Sequence, residues 1–468
     1  MSTPAATLTG REAAYRAVRD VLAGKGFAST RLHALRRDDR LAGREAGLAM
    51  EIALGSIRHV ITIAHVLGAV ARFEERRTSV PLRSVLYTAA FQLIWMDRIP
   101  EFAAVDAAVD LARRHVRGRA PGMVNAVLRK LVRAIASRRA GWQPKDPCHI
   151  RVDWARACAF NVPVLPAASS ESEGAAHLAA AAGERDGRFA VLVERFGAQQ
   201  AEAIAWASQA VPPTVLQRNP LRIDLPDFRD RVRKELGDAT LWRKDAAFAP
   251  PDVSVVQTRL FREGLASIQD ATAHRAALLV EPRPGERLLD WCAAPGGKAA
   301  VLAQQMDDRG EVLACDVSAE RLERVHENAA RLGLNSIRPT LLGPNSPDAA
   351  ELRGEFDAAI VDAPCSNTGA IARRPEARLG LTPRKLASLR GVQSEVLRQA
   401  ALHVRPGGRL VYSTCSIEPQ ENERIVEAFL SEFSAWRLDQ QWTALPAWGP
   451  ALDDWRDGGF AARLLRTS

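Results

Sequence analysis

Apolar positions recur at three- and four-residue spacing from about residue 9 to 140, most clearly from Arg44 to Arg72 and again from Val80 to Leu93. That period lays one apolar stripe along a helix, so this stretch predicts an all-α domain with little strand character. Pro100, and then Gly118, Pro121 and Gly122, punctuate the helices. From about residue 266 the pattern changes to short continuous apolar runs, each followed by a turn and a helical stretch. ERLLDWC, GEVLACD, FDAAIVDAPC and GGRLVYSTCS each predict a strand buried on both faces, as parallel strands are. Helical stretches such as Ala319 to Leu332 lie between them. The repeat predicts a doubly wound, Rossmann-like α/β domain with its ligands at the carboxyl ends of the strands.

These patterns divide the chain into an all-α domain (1–150), a linker or insertion (151–187), a small mixed α/β segment (188–265) and the α/β domain (266–468). The linker is expected from the Ala-, Ser-, Glu- and Gly-rich run LPAASSESEGAAHLAAAAGERDG, which promises no fold of its own. A chain of 468 residues is too long for a single ordinary core, in keeping with that division.

Charge adds a partner class. The formal charge is +9, and nine Lys or Arg residues with no Asp or Glu fall between Arg113 and Arg139 (113, 114, 117, 119, 129, 130, 133, 138 and 139). Such a block is either a solvated helix face or a grip on a polyanion, whose condensed counterions it would release. The six cysteines (Cys148, Cys158, Cys292, Cys315, Cys365, Cys415) form no CxxC pair, so neither a bound metal nor a disulfide framework is expected. The first residues lack the apolar core of a signal peptide, and no apolar run approaches the roughly 20 residues of a membrane span. A cytoplasmic protein without membrane contact is expected.

Candidate chemistry sits at the ends of the predicted strands. After Leu288-Leu289-Asp290-Trp291 comes the small-residue turn Cys292-Ala293-Ala294-Pro295-Gly296-Gly297-Lys298, which lets backbone N–H groups at a helix start approach a ligand. It is not a phosphate loop: Cys292 and Ala299 stand where the Walker A pattern needs Gly and Ser or Thr, and GxGxxG is absent. The next strand ends in Asp316, which either accepts the hydroxyls of a ribose or caps the helix from Ala319. Turn and terminal Asp together favour an adenosine ligand without phosphates, S-adenosylmethionine over NAD or ATP.

Asp362-Ala363-Pro364-Cys365-Ser366 and Ser413-Thr414-Cys415-Ser416 each put a cysteine just past a strand. A lone cysteine there is usually buried structure; two on one productive edge point to chemistry. Cytosine C5 is too electron-poor to take a methyl group unaided. A thiolate adding to C6 pushes electron density onto C5, and elimination later restores the ring. Lys298, a helix N-terminus or a sulfonium would favour the thiolate. Asp362 is suited to hold the protonated N3 of the adduct.

At these residues the chain resembles the bacterial small-subunit (16S) ribosomal RNA cytosine-C5 methyltransferases of the B type, in which a NusB-like helical RNA-binding domain is fused to the methyltransferase. Arg98-Ile99-Pro100, Asn125-Ala126-Val127-Leu128-Arg129, Leu216-Gln217-Arg218-Asn219, Gln269-Asp270 and Asp457-Gly458-Gly459-Phe460 are family-like, and DAPCSNTG and STCS are the most specific. The resemblance implies an RNA (cytosine-C5) methyltransferase with Cys415 as nucleophile and Cys365 assisting release of the product. It implies that residues 292–298 and Asp316 hold S-adenosylmethionine, with Asp362 at the methionine or base end. No metal is implied, the substrate implied is 16S ribosomal RNA, and a monomer is expected. The chain departs from the family at Leu342-Gly343-Pro344-Asn345-Ser346, where the usual acidic residue near the adenine is missing. Three alternatives stay open: Pro364-Cys365 as nucleophile in the manner of DNA cytosine methyltransferases, a transfer-RNA substrate, and a non-catalytic NusB-like RNA-binding protein. Arg373, Arg374, Arg378, Arg384 and Lys385 after the DAPCS loop either grip the RNA backbone or form a solvated surface.

Overall fold

A computed structural model of the chain describes residues 8–343, 352 and 355–467. It divides into two compact units: residues 1–210 together with Arg374–Gly380, and Val211–Arg373 together with Leu381–Ser468.

The first unit begins with seven helices: α1 (Gly10–Leu22), α2 (Ala28–Arg37), α3 (Gly43–Arg58), α4 (Val60–Ala71), α5 (Val80–Trp95), α6 (Glu101–His115) and α7 (Ala120–Ala134). Local chemistry starts α1, where the Thr9 side chain accepts the Glu12 N–H. Helix α7 is two-faced: Val124, Leu128 and Leu131 are buried while Arg129, Lys130 and Arg133 are exposed. No single helix among the described residues is long and apolar enough to cross a membrane; α3 and α4 are jointly apolar but meet at 74°.

Two features depart from expectation. The all-α reading to residue 150 ends early, because β1 (Ile135–Gly141), β2 (His149–Arg151) and β3 (Arg156–Phe160) form an antiparallel sheet in the order β1-β3-β2. Adjacent Arg138 and Arg139 and a bulged register break the period of two along β1, so it does not read as a strand. The stretch expected as a linker also holds a helix, α8 (Glu171–Ala181), before α9 (Asp186–Phe196) and α10 (Ala198–Gln209). A capping box starts α8: the Ser170 side chain accepts the Glu173 N–H, and Glu173 turns back to the Ser170 N–H. Its alanines pack inward, with Ala179 and Ala180 fully buried.

The second unit opens with β4 (Thr214–Arg218), α11 (Leu225–Leu236), β5 (Leu241–Arg243), β6 (Ala246–Ala249), α12 (Arg259–Arg262) and β7 (Ala266–Ile268). Its four strands make an antiparallel sheet in the order β5-β6-β4-β7. Then α13 (Ala271–Leu278) leads into the alternating part: β8 (Arg287–Asp290), α14 (Gly297–Gln305), β9 (Glu311–Asp316), α15 (Ala319–Leu332), β10 (Ile337–Leu341) and β11 (Phe356–Asp362). Past β11 the chain gives the short helix α16 (Ala377–Gly380) to the first unit. It continues as α17 (Pro383–Leu402), β12 (Val404–Thr414), α18 (Glu423–Glu432), β13 (Trp436–Ala444) and β14 (Gly459–Arg466).

Seven strands form one sheet in the order β10-β9-β8-β11-β12-β14-β13. The first five are parallel, and β14 runs antiparallel to β12 and β13. The alternation of side chains along each strand splits the core in two. Leu288, Val312, Ile360 and Val411 pack with α14 and α15 on one face. Leu289, Leu313, Val361 and Tyr412 pack with α17 and α18 on the other. Helices on both faces of a largely parallel sheet make this the doubly wound, Rossmann-like fold that the sequence predicts.

Candidate active site

The strand order reverses direction of travel at β8: β9 and β10 lie to one side, β11 and β12 to the other. Connecting loops therefore part at the carboxyl end of β8, leaving a crevice there. The turn after β8 carries residues 292–298. Gly296 precedes α14 in the left-handed region (φ 95°), and a Cβ on it would lie 3.2 Å from Val325, so the turn needs glycine on both counts. The Ala293 N–H donates to the Cys315 carbonyl at 2.8 Å, which ties the turn to the end of β9. Cys292 sits among Asp290, Asp316 and Asp362; burial first, and then those three carboxyls, push its thiol up to about 12.

Asp316 ends β9 and is buried. One carboxylate oxygen accepts the Ser318 N–H at 3.0 Å and the other lies 3.2 Å from Arg321 Nη2. The helix cap is Ser318, whose side chain accepts the Arg321 N–H, so Asp316 is not the cap the sequence allowed; it braces the Ser318 N–H from the strand end. Asp290, fully buried beneath the turn, is pushed up to about 7 by burial and then by the Asp362 charge.

Lys298 reaches from the first turn of α14 to the end of β11, where its Nζ lies 2.6 Å from Asp362 Oδ2. Burial opposes the Lys298 charge, but Asp362, through both its charge and its hydrogen bond, more than offsets this and leaves the Lys298 pKa raised; Asp290 and Cys415 add to it. The pair is asymmetric: the Lys298 side chain is 10% exposed and that of Asp362 39%, so the carboxylate is the member open to a ligand. The Ser413 hydroxyl donates to the other Asp362 oxygen at 3.2 Å.

Past β11 and β12 the two cysteines meet. Cys365 Sγ and Cys415 Sγ are 3.3 Å apart, both as free thiols and both half-buried. Asn367, held in the left-handed region (φ 61°), places Oδ1 3.2 Å from Cys415 Sγ and donates from Nδ2 to the Cys365 carbonyl at 2.9 Å. The hydrogen bond to Cys415 and burial together push the Cys365 thiol well up. Gly369 fits against Gly458 of the segment leading to β14, where a Cβ would come within 2.6 Å of the Gly458 backbone; the Gly369 N–H donates to the Cys415 carbonyl at 2.9 Å.

Beneath the thiols lies a network that the sequence reading missed. Glu421 is fully buried and accepts the Ser366 N–H at 2.9 Å, the Ser366 hydroxyl, the Ser416 hydroxyl at 2.6 Å and Gln393 Nε2 at 3.0 Å. Gln393 also donates to the Pro364 carbonyl, and Asn422 Nδ2 to the Ser416 carbonyl. The serine after each cysteine was the available signal; nothing local shows that Glu421 turns back to meet both.

All the sequence-predicted site residues, Cys292 to Lys298, Asp316, Asp362, Cys365 and Cys415, stand at the carboxyl edge of the parallel strands. Two of the cations expected as an RNA grip or solvated surface do not fit either description. Arg373 Nε lies 2.5 Å from Asp457 and its Nη2 3.5 Å from Asp270, with Nη1 donating to the Pro213 carbonyl. Arg378 is buried in the first unit, donating to the carbonyls of Gly183 and Ser208, and burial lowers its pKa to about 10. Arg374, Arg384 and Lys385 are exposed. The departure near the adenine falls largely on Pro344, Asn345 and Ser346, which lie outside the described residues.

Comparison with known proteins fits this geometry. The family described as 16S rRNA methyltransferase RsmB/F matches residues 277–447, and the NusB family matches residues 9–133. The ribosomal RNA small subunit methyltransferase B of Pseudomonas syringae pv. tomato is 31% identical over 432 residues, covering 91% of this chain and 88% of the relative. The chain belongs to the RsmB/F family of 16S rRNA methyltransferases. A probable family member from Synechocystis is 27% identical and covers 93% of this chain and 92% of its own. Among solved structures, the crystal structure of PH0851 aligns over 98% of this chain and 99% of that one with a TM-score of 0.72 at 20% identity, a likeness of fold. A methyltransferase homologue from Pyrococcus horikoshii aligns over 63% of this chain and 99% of that one, with a TM-score of 0.52 at 28% identity. Within the RsmB/F family this chain is an enzyme acting on ribosomal RNA, with the NusB-like helices N-terminal to the methyltransferase fold.

Proposed function

We propose that the chain methylates C5 of a cytosine in small-subunit ribosomal RNA, using S-adenosylmethionine, through a covalent bond from Cys415 to C6. The observation that carries the reading is the thiol pair, 3.3 Å apart, on the same strand edge as the Lys298–Asp362 ion pair.

The residues at the turn suit the methyl donor. Residues 293–297 are small, the start of α14 offers backbone N–H groups, and the buried carboxylate of Asp316 stands at the adjacent strand end for a ribose. When bound there, S-adenosylmethionine supplies an electrophilic methyl group. The protein's own steps are these. The Cys415 thiolate bonds to C6, and the ring electrons move to C5 as Asp362 holds the proton at N3. Once C5 carries the methyl group it loses its proton to a base, and the C6–S bond breaks to return the Cys415 thiolate. Cys365, whose thiol is pushed up by its hydrogen bond to Cys415 and by burial, stands 3.3 Å from that sulfur and is placed to assist release by donating a hydrogen bond to the departing thiolate. The same bias argues against Cys365 as nucleophile, because the thiolate is the reactive form. The exposed cations of α7 are the proposed phosphate grip, and the chain is proposed to act as a monomer in the cytosol.

The test compares wild type, Cys365→Ala and Cys415→Ala on small-subunit ribosomal RNA with S-adenosylmethionine, read as methyl transfer and as a covalent protein–RNA band on denaturing gels. Cys365→Ala should accumulate the band, and Cys415→Ala should form neither band nor product. The reversed pattern would exchange the two roles. Methylation of a transfer-RNA panel in place of ribosomal RNA would keep the chemistry and change the substrate.

A further inference from the structure

The two thiols are near neighbours, so something must decide which of them ionises. Lys298 lies within electrostatic reach of Cys415. Glu421 takes hydrogen bonds from both cysteine loops. Four donors converge on it, Ser366 N–H, Ser366 O–H, Ser416 O–H and Gln393 Nε2. That number fills the acceptor sites of an ionised carboxylate. The Glu418 N–H donates to Ser416 Oγ at 3.0 Å, and Ser416 Oγ also lies 3.2 Å from Ser366 Oγ and 3.1 Å from Thr368 Oγ1, so one hydroxyl cluster joins the two loops on this carboxyl. These contacts seat the buried carboxyl against both cysteine loops, and its charge is one of the causes that raise Cys365.

We infer that Glu421 is a positioning residue for the reaction: its buried carboxylate ties one serine on each cysteine loop and sets a negative charge behind Cys365, which leaves the thiolate role to Cys415. The role is electrostatic as well as mechanical, and the two parts are separable. Glu421→Gln keeps the shape and removes the charge. Ser416→Ala removes one tie and keeps the charge.

The inference rests on the covalent reading above, but its test needs neither RNA nor methyl donor. The full chain is labelled with limiting iodoacetamide across pH 6 to 10, and the labelled peptides of Cys365 and Cys415 are counted by mass spectrometry. In wild type the label goes first to Cys415. In Glu421→Gln the pH midpoint for labelling Cys365 falls by about one unit or more, and the preference for Cys415 drops roughly tenfold. In Ser416→Ala the midpoint holds or rises. An unchanged midpoint in folded Glu421→Gln overturns the inference. So does a fall in Ser416→Ala, which would make Glu421 a tie and nothing more; this second arm decides the matter even if Glu421→Gln does not fold. Failure of the wild-type chain to form the covalent protein–RNA band, with its labelling pattern as expected, would count against the covalent reading alone.

Discussion

Two arginine-rich stretches look alike in the sequence and differ in the structure. Between Arg113 and Arg139, Arg117, Arg119, Arg129, Lys130 and Arg133 are exposed and make no ion pair among the described residues, while Arg138 folds back onto the carbonyls of Ile99, Gln92 and Met96. Between Arg373 and Lys385, Arg373 is enclosed by two aspartates and Arg378 by two carbonyls. The difference lies in the neighbours. In α7 the cations alternate with apolar residues at helical spacing, so they share the outer face. Around Arg373 and Arg378 lie Ile371, Ala372 and Ala377, all buried, and the arginines follow them inward. An arginine count reports charge; its setting decides whether that charge meets phosphate or protein.

The contrast can be broken most forcefully at Arg373. Arg373→Met leaves Asp457 and Asp270 without their cation and should cost about 3–5 kcal/mol in chemical denaturation. Burial pushes Asp457 up to about 7, above the ordinary unfolded carboxyl value, so the folded chain holds that proton more tightly. The Asp457 contribution to stability is therefore greatest at low pH and is lost as pH rises from about 4 to about 7. Since Arg373 opposes the shift, the variant should regain part of its lost stability between pH 8 and pH 5, and a deficit that does not change over that range would count against an uncompensated carboxyl.

A smaller effect is expected at Arg378. Arg378→Met deprives the carbonyls of Gly183 and Ser208 of their donor and should cost about 1–3 kcal/mol by the same measurement. An Arg378 variant that stayed fully stable but bound RNA less well would return it to the phosphate-gripping class. The least effect on stability belongs to α7. Arg129→Ala, Lys130→Ala and Arg133→Ala together should move unfolding by less than about 0.5 kcal/mol. Binding of small-subunit ribosomal RNA should weaken, and its dependence on log salt should flatten by about one unit for each phosphate no longer neutralised. An unaltered salt slope would make α7 a solvated face.

Much of the catalytic unit was legible because buried parallel strands read as unbroken apolar runs. RLLD, EVLACD, FDAAIVD and RLVYST all lie within strands, and the helix from Ala319 to Leu332 has the bounds its periodicity gives. The thiols, the turn and Asp316 were legible because each follows such a run. What escaped was of two kinds. Alanine-rich composition outweighed the capping signal Ser170-x-x-Glu173, so α8 was taken for linker. Glu421 and Gln393 escaped because their work is done by side chains turning across the fold, and no local pattern encodes that meeting.

The return of residues 374–380 to the first unit has a consequence for synthesis. A ribosome delivers the first 210 residues long before it delivers Arg378, which donates to Gly183 and Ser208, or Glu376, which accepts the Ala28 N–H at 2.8 Å. At about 5–20 residues per second, the helical unit waits roughly 10–30 seconds for its last pieces. Its completion is thus timed by the emergence of the loop that carries Cys365, and neither unit can be excised from the other by a single cut.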